Sequence, residues 1–197
     1  MAEQIEDGTG TGTKLKVGKG NRAFVNSVSN SAEEVHTFNG ESFLIHAECH
    51  MAATTDGGLL AFKYTGDKRI NIVSLFLDSL ILTKDMKIVV VKNPTIASGT
   101  VDVANVVQRN GFRTAELSQE VTISDGAADL TFTGGEELIS FGIQTLQSKD
   151  RSPKGAFMMK KNDILLIGWE AFTGNGIDGE LISITLGVYE FVDEDFE

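Results

Sequence analysis

Three polar side chains near the start of the chain have the chemistry of metal ligands. His46, Glu48 and His50 are spaced two residues apart, and a two-residue period places side chains on one face of an extended strand. Imidazole and carboxylate groups bind zinc and similar ions, so a metal site on this face is geometrically conceivable. The competing interpretation is a polar strand face directed toward solvent or another subunit.

The distribution of histidines argues against the metal site. A cupin-type site would need a His-x-His pair, a following glutamate and a further histidine on a later strand. The sequence has His-x-Glu-x-His instead, its remaining histidine is His36, and no histidine follows His50. We therefore predict that the chain binds no metal and no cofactor. A cupin-like metal enzyme that uses His46, Glu48 and His50 is the least favoured hypothesis.

Other patterns that would support catalysis are absent from the sequence. It contains no Gly-x-Ser-x-Gly nucleophile elbow and no Gly-x-x-x-x-Gly-Lys-Ser/Thr phosphate loop. Cys49 shares a strand face with Ile45 and Met51, which predicts a buried structural thiol rather than a nucleophile. Residues 174–179, Gly-Asn-Gly-Ile-Asp-Gly, resemble one calcium-binding nonapeptide repeat. Such repeats bind by stacking, so we interpret this one as a hairpin loop between the strands on either side. We predict no catalytic residues and no enzymatic activity.

Aromatic side chains offer a different chemistry, the stacking of sugar rings. Trp169, Phe172 and Tyr189 could form such a platform if they were exposed, as in carbohydrate-binding modules. Aromatic residues in strands usually belong to the core, and we interpret these three in that way. A carbohydrate-binding or receptor-binding β-sandwich module is the alternative function, and it requires exposure of Trp169, Tyr64 and Tyr189.

Composition and charge exclude several classes of partner. The chain has 17 Lys and Arg against 28 Asp and Glu, a net charge of −11, which opposes binding to nucleic acid and to anionic membranes. A single cysteine rules out an intrachain disulfide framework. No apolar run approaches the roughly 20 residues that cross a bilayer, and the acidic N-terminus does not have the pattern of a secretory signal. The sequence therefore predicts no nucleic acid and no membrane among the partners.

The elements that must position these side chains are strands. Period-two alternation is clear at residues 43–51 and 181–191, whereas residues 88–91 and 164–172 are apolar on both faces, as in strands that are covered on both sides. Turn patterns at residues 56–58, 65–67 and 125–126 separate the strands. The predicted strands are residues 43–51, 59–64, 70–77, 86–91, 101–107, 121–123, 130–132, 138–146, 164–172 and 181–191. About ten short strands of this kind predict an all-β fold, an antiparallel two-sheet sandwich with a jelly-roll or related Greek-key path.

Both ends of the sequence read differently from this strand-rich middle. Residues 8–13 repeat Gly-Thr, and we predict that residues 1–13 form a flexible N-terminal arm, followed by a single β-sandwich domain at residues 14–197. The arm is either a frayed terminus or a tether that orders on a partner. Near the other end, we interpret Asp193, Glu194 and Asp195 as part of a solvated tail.

One stretch of sequence carries a resemblance to a known group of proteins. Residues 86–112 read MKIVVVKNPTIASGTVDVANVVQRNGF, in which a β-branched strand runs into Asn93-Pro94. A short loop with Gly99 precedes a second strand, and Asn110-Gly111 ends it. This pattern, which follows a strand at residues 70–77, resembles small β-sandwich structural proteins of tailed-phage virions, of the decoration or head-fibre type.

This resemblance implies a function. It implies a non-enzymatic virion protein, assembled in the host cytoplasm, that decorates or stabilises the capsid or forms part of a head fibre. It also implies a homo-oligomer, with a trimer favoured, whose partners are further copies of itself and phage capsid or other virion proteins. A decoration protein of this kind acts by burying surface across neighbouring shell subunits, which stabilises the shell through binding free energy.

Overall fold

The structure is a computed structural model that describes residues 39–51, 56–81, 85–102, 106–108, 116–144, 148–151, 157–172 and 180–191. All of these residues belong to the unit Ala32–Glu197. The predicted N-terminal arm, residues 1–13, and its boundary with the predicted domain at residue 14 lie outside the described residues. The domain division therefore stays a prediction.

Every named element of the described residues is a β-strand, so the predicted all-β class is confirmed. The strands are β1 (Ser42–His50), β2 (Asp56–Tyr64), β3 (Arg69–Ile81), β4 (Met86–Lys92), β5 (Thr95–Ser98), β6 (Thr100–Asp102), β7 (Val106–Gln108), β8 (Gln119–Ile123), β9 (Thr131–Thr133), β10 (Glu136–Ile143), β11 (Ser148–Arg151), β12 (Phe157–Met159), β13 (Ile164–Ala171) and β14 (Leu181–Phe191). The long strands coincide with the apolar patterns of the sequence to within a few residues at each end.

These strands form two six-stranded antiparallel sheets. Sheet 1 has the order β11-β3-β14-β1-β7, and β12 also pairs with β3. Sheet 2 has the order β10-β4-β13-β2-β8-β6. The first four strands lie alternately in sheet 1 and sheet 2, and so do β13 and β14 near the other end of the chain. These consecutive strands thus lie on opposite sides of one core, whereas β11 and β12 both pair with β3 in sheet 1.

The strand pairing is nested, which identifies the path as a jelly roll. β1 pairs with β14, β2 with β13, β3 with β11 and β12, and β4 with β10. A long antiparallel hairpin with this pairing, rolled up so that successive segments alternate between two sheets, produces the two Greek keys of the jelly roll. The predicted two-sheet sandwich is confirmed, and of the two paths left open by the sequence the strand order selects the jelly roll.

The main core fills the space between the two sheets. The inward faces predicted for the two clearly alternating strands are confirmed, because Ile45, Ala47, Ile184 and Leu186 are buried. Trp169 is the largest side chain in this core. Such burial removes apolar surface from water on both sheets at once, which makes the core the main favourable contribution to folding.

A second, smaller core lies on the outer face of sheet 2. The strands β5 and β9 pair as a two-stranded ribbon, and Ile96 and Phe132 of this ribbon pack against a buried cluster on the sheet. The cluster consists of Ala61, Val89, Val91, Leu130 and Leu166. The prediction that residues 88–91 are covered on both sides is therefore confirmed.

The turn predicted at residues 56–58 is wrong, because β2 already begins at Asp56. Gly57 and Gly58 lie within the strand, at points where neighbouring groups approach the backbone closely. A Cβ atom at Gly58 would lie 2.6 Å from Leu130 Cγ, and one at Gly57 would lie 3.2 Å from Trp169 Nε1. These glycines mark close packing in a strand rather than a reversal of the chain.

Two predicted connections are also wrong. Residues 101–107, predicted as one strand, are divided between β6 in sheet 2 and β7 in sheet 1. The strands β13 and β14 lie in different sheets, so they do not form the predicted hairpin, and its loop at residues 174–179 lies outside the described residues. The reason is that an alternating or apolar pattern is the same whether a strand pairs with its neighbour in sequence or with a distant strand.

Candidate interaction surface

The outer face of sheet 1 presents side chains that alternate with core residues along β1, β3 and β14. Unlike the outer face of sheet 2, it has no ribbon packed on it among the described residues. We call this surface the open face. It includes His46, Glu48, His50, Phe76, Asp78, Leu80, Ser183 and Thr185.

The pairing of the strands arranges the open face in rows. Phe76 lies opposite Thr185, which lies opposite His46 on the next strand. A hydrogen bond of 2.9 Å joins His46 Nδ1 and Thr185 Oγ1 along this row. In the neighbouring row, Asp78 lies opposite Ser183, which in turn lies opposite Glu48. The rows bring together side chains that are more than one hundred residues apart in sequence.

The three polar residues singled out by their spacing lie on this face, as predicted. His46 and Glu48 are exposed, and His50 is half-buried at the end of β1. Among the described residues, no group of three His, Cys, Asp or Glu side chains could hold a metal ion. The strand geometry explains this, since alternate side chains on one strand are separated by about 7 Å, much farther than the ligands of one ion. The arrangement forms a polar surface facing outward.

Two apolar members of the open face were not singled out in the sequence. Phe76 and Leu80 are each 40% exposed, on either side of Asp78. A signal for Phe76 was present, because it alternates with the inward residues Leu75 and Leu77 and so must face outward. The hydroxyl of Ser148 donates a hydrogen bond of 2.8 Å to Asp78, which holds this carboxylate between the two apolar side chains. The face therefore combines exposed apolar area with fixed polar groups.

The interior of the sandwich contrasts with this surface. Cys49 is buried in the main core, as expected of a structural thiol. Among the described residues, the buried carboxylates are Asp163 and Glu180, and each immediately precedes a strand instead of lying midway between the sheets. Tyr64 donates a hydrogen bond of 2.8 Å to Glu190. Burial, together with this carboxylate, raises the pKa of Tyr64 and keeps its hydroxyl protonated.

The three aromatic residues singled out in the sequence, Trp169, Phe172 and Tyr189, do not form an exposed platform. Trp169 and Tyr64 are buried, so their interpretation as core residues is confirmed. Tyr189 is half-buried, and its hydroxyl accepts a hydrogen bond of 2.9 Å from Asn71 Nδ2. Phe172, predicted to be core, is 60% exposed at the end of β13, which corrects that assignment. The carbohydrate-binding alternative required Trp169, Tyr64 and Tyr189 to be exposed, and Trp169 and Tyr64 are buried while Tyr189 is half-buried.

The described part of the chain contains no helix that is long and apolar enough to span a membrane. The tail residues Asp193, Glu194 and Asp195 lie outside the described residues, so their interpretation stays a prediction.

Comparisons with known proteins provide no family. No family model matches the sequence, and no curated protein matches it. One solved structure with a slight likeness is that of T=1 particles derived from infectious bursal virus, at 7% sequence identity and a TM-score of 0.14. The match covers 76% of this chain and 40% of that one. A TM-score this low carries no argument about fold or function, so the jelly roll rests on the strand order of the chain itself.

Proposed function

We propose that this chain is a non-enzymatic structural protein of a virion. In this proposal it is a capsid decoration or head-fibre component that acts through protein–protein interfaces, both with further copies of itself and with capsid or other virion proteins. The observation that carries the proposal is the jelly roll whose interior is packed with apolar side chains and whose open face is free of any ribbon in the described residues. Jelly rolls of this kind build viral capsid and lectin domains.

The distribution of polar groups supports an interface role over a catalytic one. The ionisable residues singled out in the sequence point outward on the open face, spread over two rows, and do not converge in a cleft. Phe76 and Leu80 supply apolar area on this face, while His46 and Asp78 are held by hydrogen bonds to Thr185 and Ser148. Exposed apolar side chains beside oriented polar groups are common on surfaces that bind other proteins.

The binding free energy of decoration is modest for each interface and becomes large when it is summed over a whole shell. A standard interface buries about 1,600 Å² in total, and a symmetric oligomer multiplies one such contact over several subunits. Binding to the assembled shell and not to its separated subunits stabilises the shell by mass action. Virion location and the trimeric state are part of this proposal, and they derive from the resemblance at residues 86–112.

The proposal is tested by measuring the oligomeric state and the binding to shells. Sedimentation velocity of the purified chain is expected to show a trimer or another closed oligomer, and undecorated phage heads are expected to bind it at a fixed stoichiometry. The double substitution Phe76→Asp and Leu80→Asp places charge among the exposed apolar side chains of the open face. It should weaken either the self-association of the chain or its binding to phage heads at least tenfold.

The matched control is Val101→Asp, which changes an apolar side chain that is 66% exposed on β6 of sheet 2. It should leave association unchanged, and circular dichroism should show that both variants are folded. A strict monomer that binds no shell would contradict the proposal. Specific binding in a glycan array, lost in Phe172→Ala, would favour the carbohydrate-binding alternative instead.

A further inference from the structure

A groove runs beside the ribbon of β5 and β9 on the outer face of sheet 2. Its volume is about 430 Å³, and its floor is formed by residues of β2, β8 and β13, which are Ala61, Lys63, Glu120, Thr122 and Ile164. Ala61 lies opposite Thr122 in the register of the sheet. Lys63 lies between Glu120 and Ile164, its partners on the two neighbouring strands. We call this feature the ribbon groove, and it lies on the side of the sandwich away from the open face.

The wall of the ribbon groove is one edge of β5. Thr95 and Ile96 line it together with Pro94, whereas the described residues of β9 do not. Among the described residues, β9 is the only strand that pairs with β5, and Thr95 and Ala97 are exposed. In an antiparallel pair, every second residue directs its backbone N–H and C=O away from the partner strand. The edge of β5 that faces the ribbon groove therefore presents backbone hydrogen-bonding groups with the spacing of a strand.

Backbone groups in this arrangement are matched by another extended polypeptide. A peptide that adds a strand to an exposed edge gains affinity from main-chain hydrogen bonds and specificity from pockets that take alternate side chains. A third strand would lie about 4.8 Å from β5, in the layer of the ribbon and directly above the floor of the groove. Because sheet 2 already fills the space below that position, the ribbon groove fits a single extended segment better than the edge of a second folded sandwich.

The charges of the ribbon groove compensate each other. Lys63 Nζ donates a hydrogen bond of 2.8 Å to Glu120, and these are the two charged residues of the lining. A charged occupant would have to compete with this ion pair, so an uncharged segment complements the site best. Ala61, Ile96 and Ile164 supply the apolar part of the lining. The side chains of the segment that point to the floor are therefore small and apolar.

We propose that the ribbon groove binds an extended, uncharged segment of a partner protein as a third strand of the ribbon. The segment pairs with the free edge of β5 and directs every second side chain toward Ala61 and Ile164, while its other side chains point to solvent. The protein thus has two separate binding surfaces, this one on sheet 2 and the open face on sheet 1. The inference does not depend on the proposed virion function, because it rests on the strand edge and the groove alone.

Binding of a defined strand-forming peptide tests the proposal. The probe is the capped peptide Ser-Thr-Val-Thr-Val-Thr-Ser with a fluorescent label, which is uncharged and carries a small apolar side chain at alternate positions. Titration with the full-length chain, followed by fluorescence anisotropy, is expected to show saturable binding. N-methylation of both valine nitrogens and N-methylation of an equal number of threonine nitrogens block opposite edges of the extended peptide. Only one of these two changes should weaken binding, by at least about tenfold, because only one edge pairs with β5.

A pair of matched variants tests whether the peptide lies in the ribbon groove. Thr122→Arg places a long side chain on the floor of the groove and should weaken binding at least about tenfold. Thr133→Arg makes the same change at an exposed position of β9, outside the groove, and should leave binding unchanged. Circular dichroism should show that both variants are folded, and the N-methylated peptides decide the question even if Thr122→Arg does not fold.

Three results would overturn the proposal: no saturable binding, equal effects of the two N-methylated peptides, or equal binding by the two folded variants. Self-association of the chain that Thr122→Arg abolishes, without binding of the peptide, would overturn the choice of occupant and identify a second copy of the chain instead.

Discussion

The outer faces of the two sheets differ in what covers them. The outer face of sheet 2 carries Val89, Val91 and Leu166, and the ribbon of β5 and β9 converts it into a second core. The open face of sheet 1 carries alternating polar residues such as His46 and Glu48, and its apolar members include Phe76 and Leu80, each 40% exposed. One sheet is thus buried on both sides by the chain itself, whereas the other keeps one side for solvent or a partner.

This difference shows what the ribbon of β5 and β9, which lies between β4 and β10 in the sequence, contributes to the fold. A strand that is apolar on both faces is stable in a sandwich only if something covers its second face. The ribbon supplies that cover for β4 and β13, and Leu130, just before β9, lies against Gly58 of β2. No described element covers sheet 1 in the same way, and there the sequence alternates. The covering of sheet 2 and the alternation in sheet 1 are two solutions to the same problem of surface burial.

The largest difference in stability is expected between two variants that each place a charge on the outer face of one sheet. Leu166→Asp should lower the free energy of unfolding by about 4 kcal/mol or more, or prevent folding, because it buries an unpaired carboxylate beneath the ribbon. Thr185→Asp, the matched change on the open face, should alter it by less than about 1 kcal/mol. Urea denaturation of both variants measures the two changes in the free energy of unfolding. Equal decreases would mean that the open face is also covered.

A smaller effect is expected from the contact between Gly58 and Leu130, which joins the ribbon side to sheet 2. Gly58→Ala should destabilise the chain by about 1–3 kcal/mol, because the new Cβ would lie 2.6 Å from Leu130 Cγ. In a Leu130→Ala background the same substitution should cost less, since the side chain that it meets has been removed. A double-mutant cycle from denaturation midpoints gives the coupling, and strict additivity would show that the two residues do not touch.

The smallest effect concerns the turn that leads from β8 into the ribbon. Asp125 accepts hydrogen bonds of 3.0 and 2.9 Å from the backbone N–H groups of Ala128 and Ala127, and these bonds hold the pKa of its carboxyl below its usual range. A carboxyl whose pKa is lower in the folded state stabilises that state above its unfolded pKa of about 3.9. This contribution is lost as the pH falls through the lower folded value.

The difference in melting temperature between the wild type and Asp125→Ala should therefore shrink as the pH is lowered from about 5 to below the folded pKa. Thermal melts over this range provide the measurement, and Glu48→Ala, on the open face, serves as the control. A difference that stayed constant with pH would show that the carboxylate does not stabilise the turn.

Sequence reasoning predicted the candidate surface only in part. The outward orientation of His46, Glu48 and His50 followed from spacing on one strand, and so did the burial of Cys49 on the opposite face. The rows that join His46 to Thr185 and Glu48 to Ser183 could not be predicted, because they depend on which strand lies beside β1. Phe172 was assigned to the core as an aromatic residue of the predicted strand 164–172, although it lies just beyond the end of β13, where the strand alternation no longer applies.

The sequence by itself determined which side chains point inward, and which strands need cover on both faces. Side-chain direction repeats every two residues along any extended chain, so it can be inferred locally. Only the tertiary structure decided the nested pairing, the separation of β13 from β14 and the contact of Leu130 with Gly58. These features depend on partners such as His46 and Thr185, which are 139 positions apart in the chain, and the alternation of a strand is the same whichever strand lies beside it.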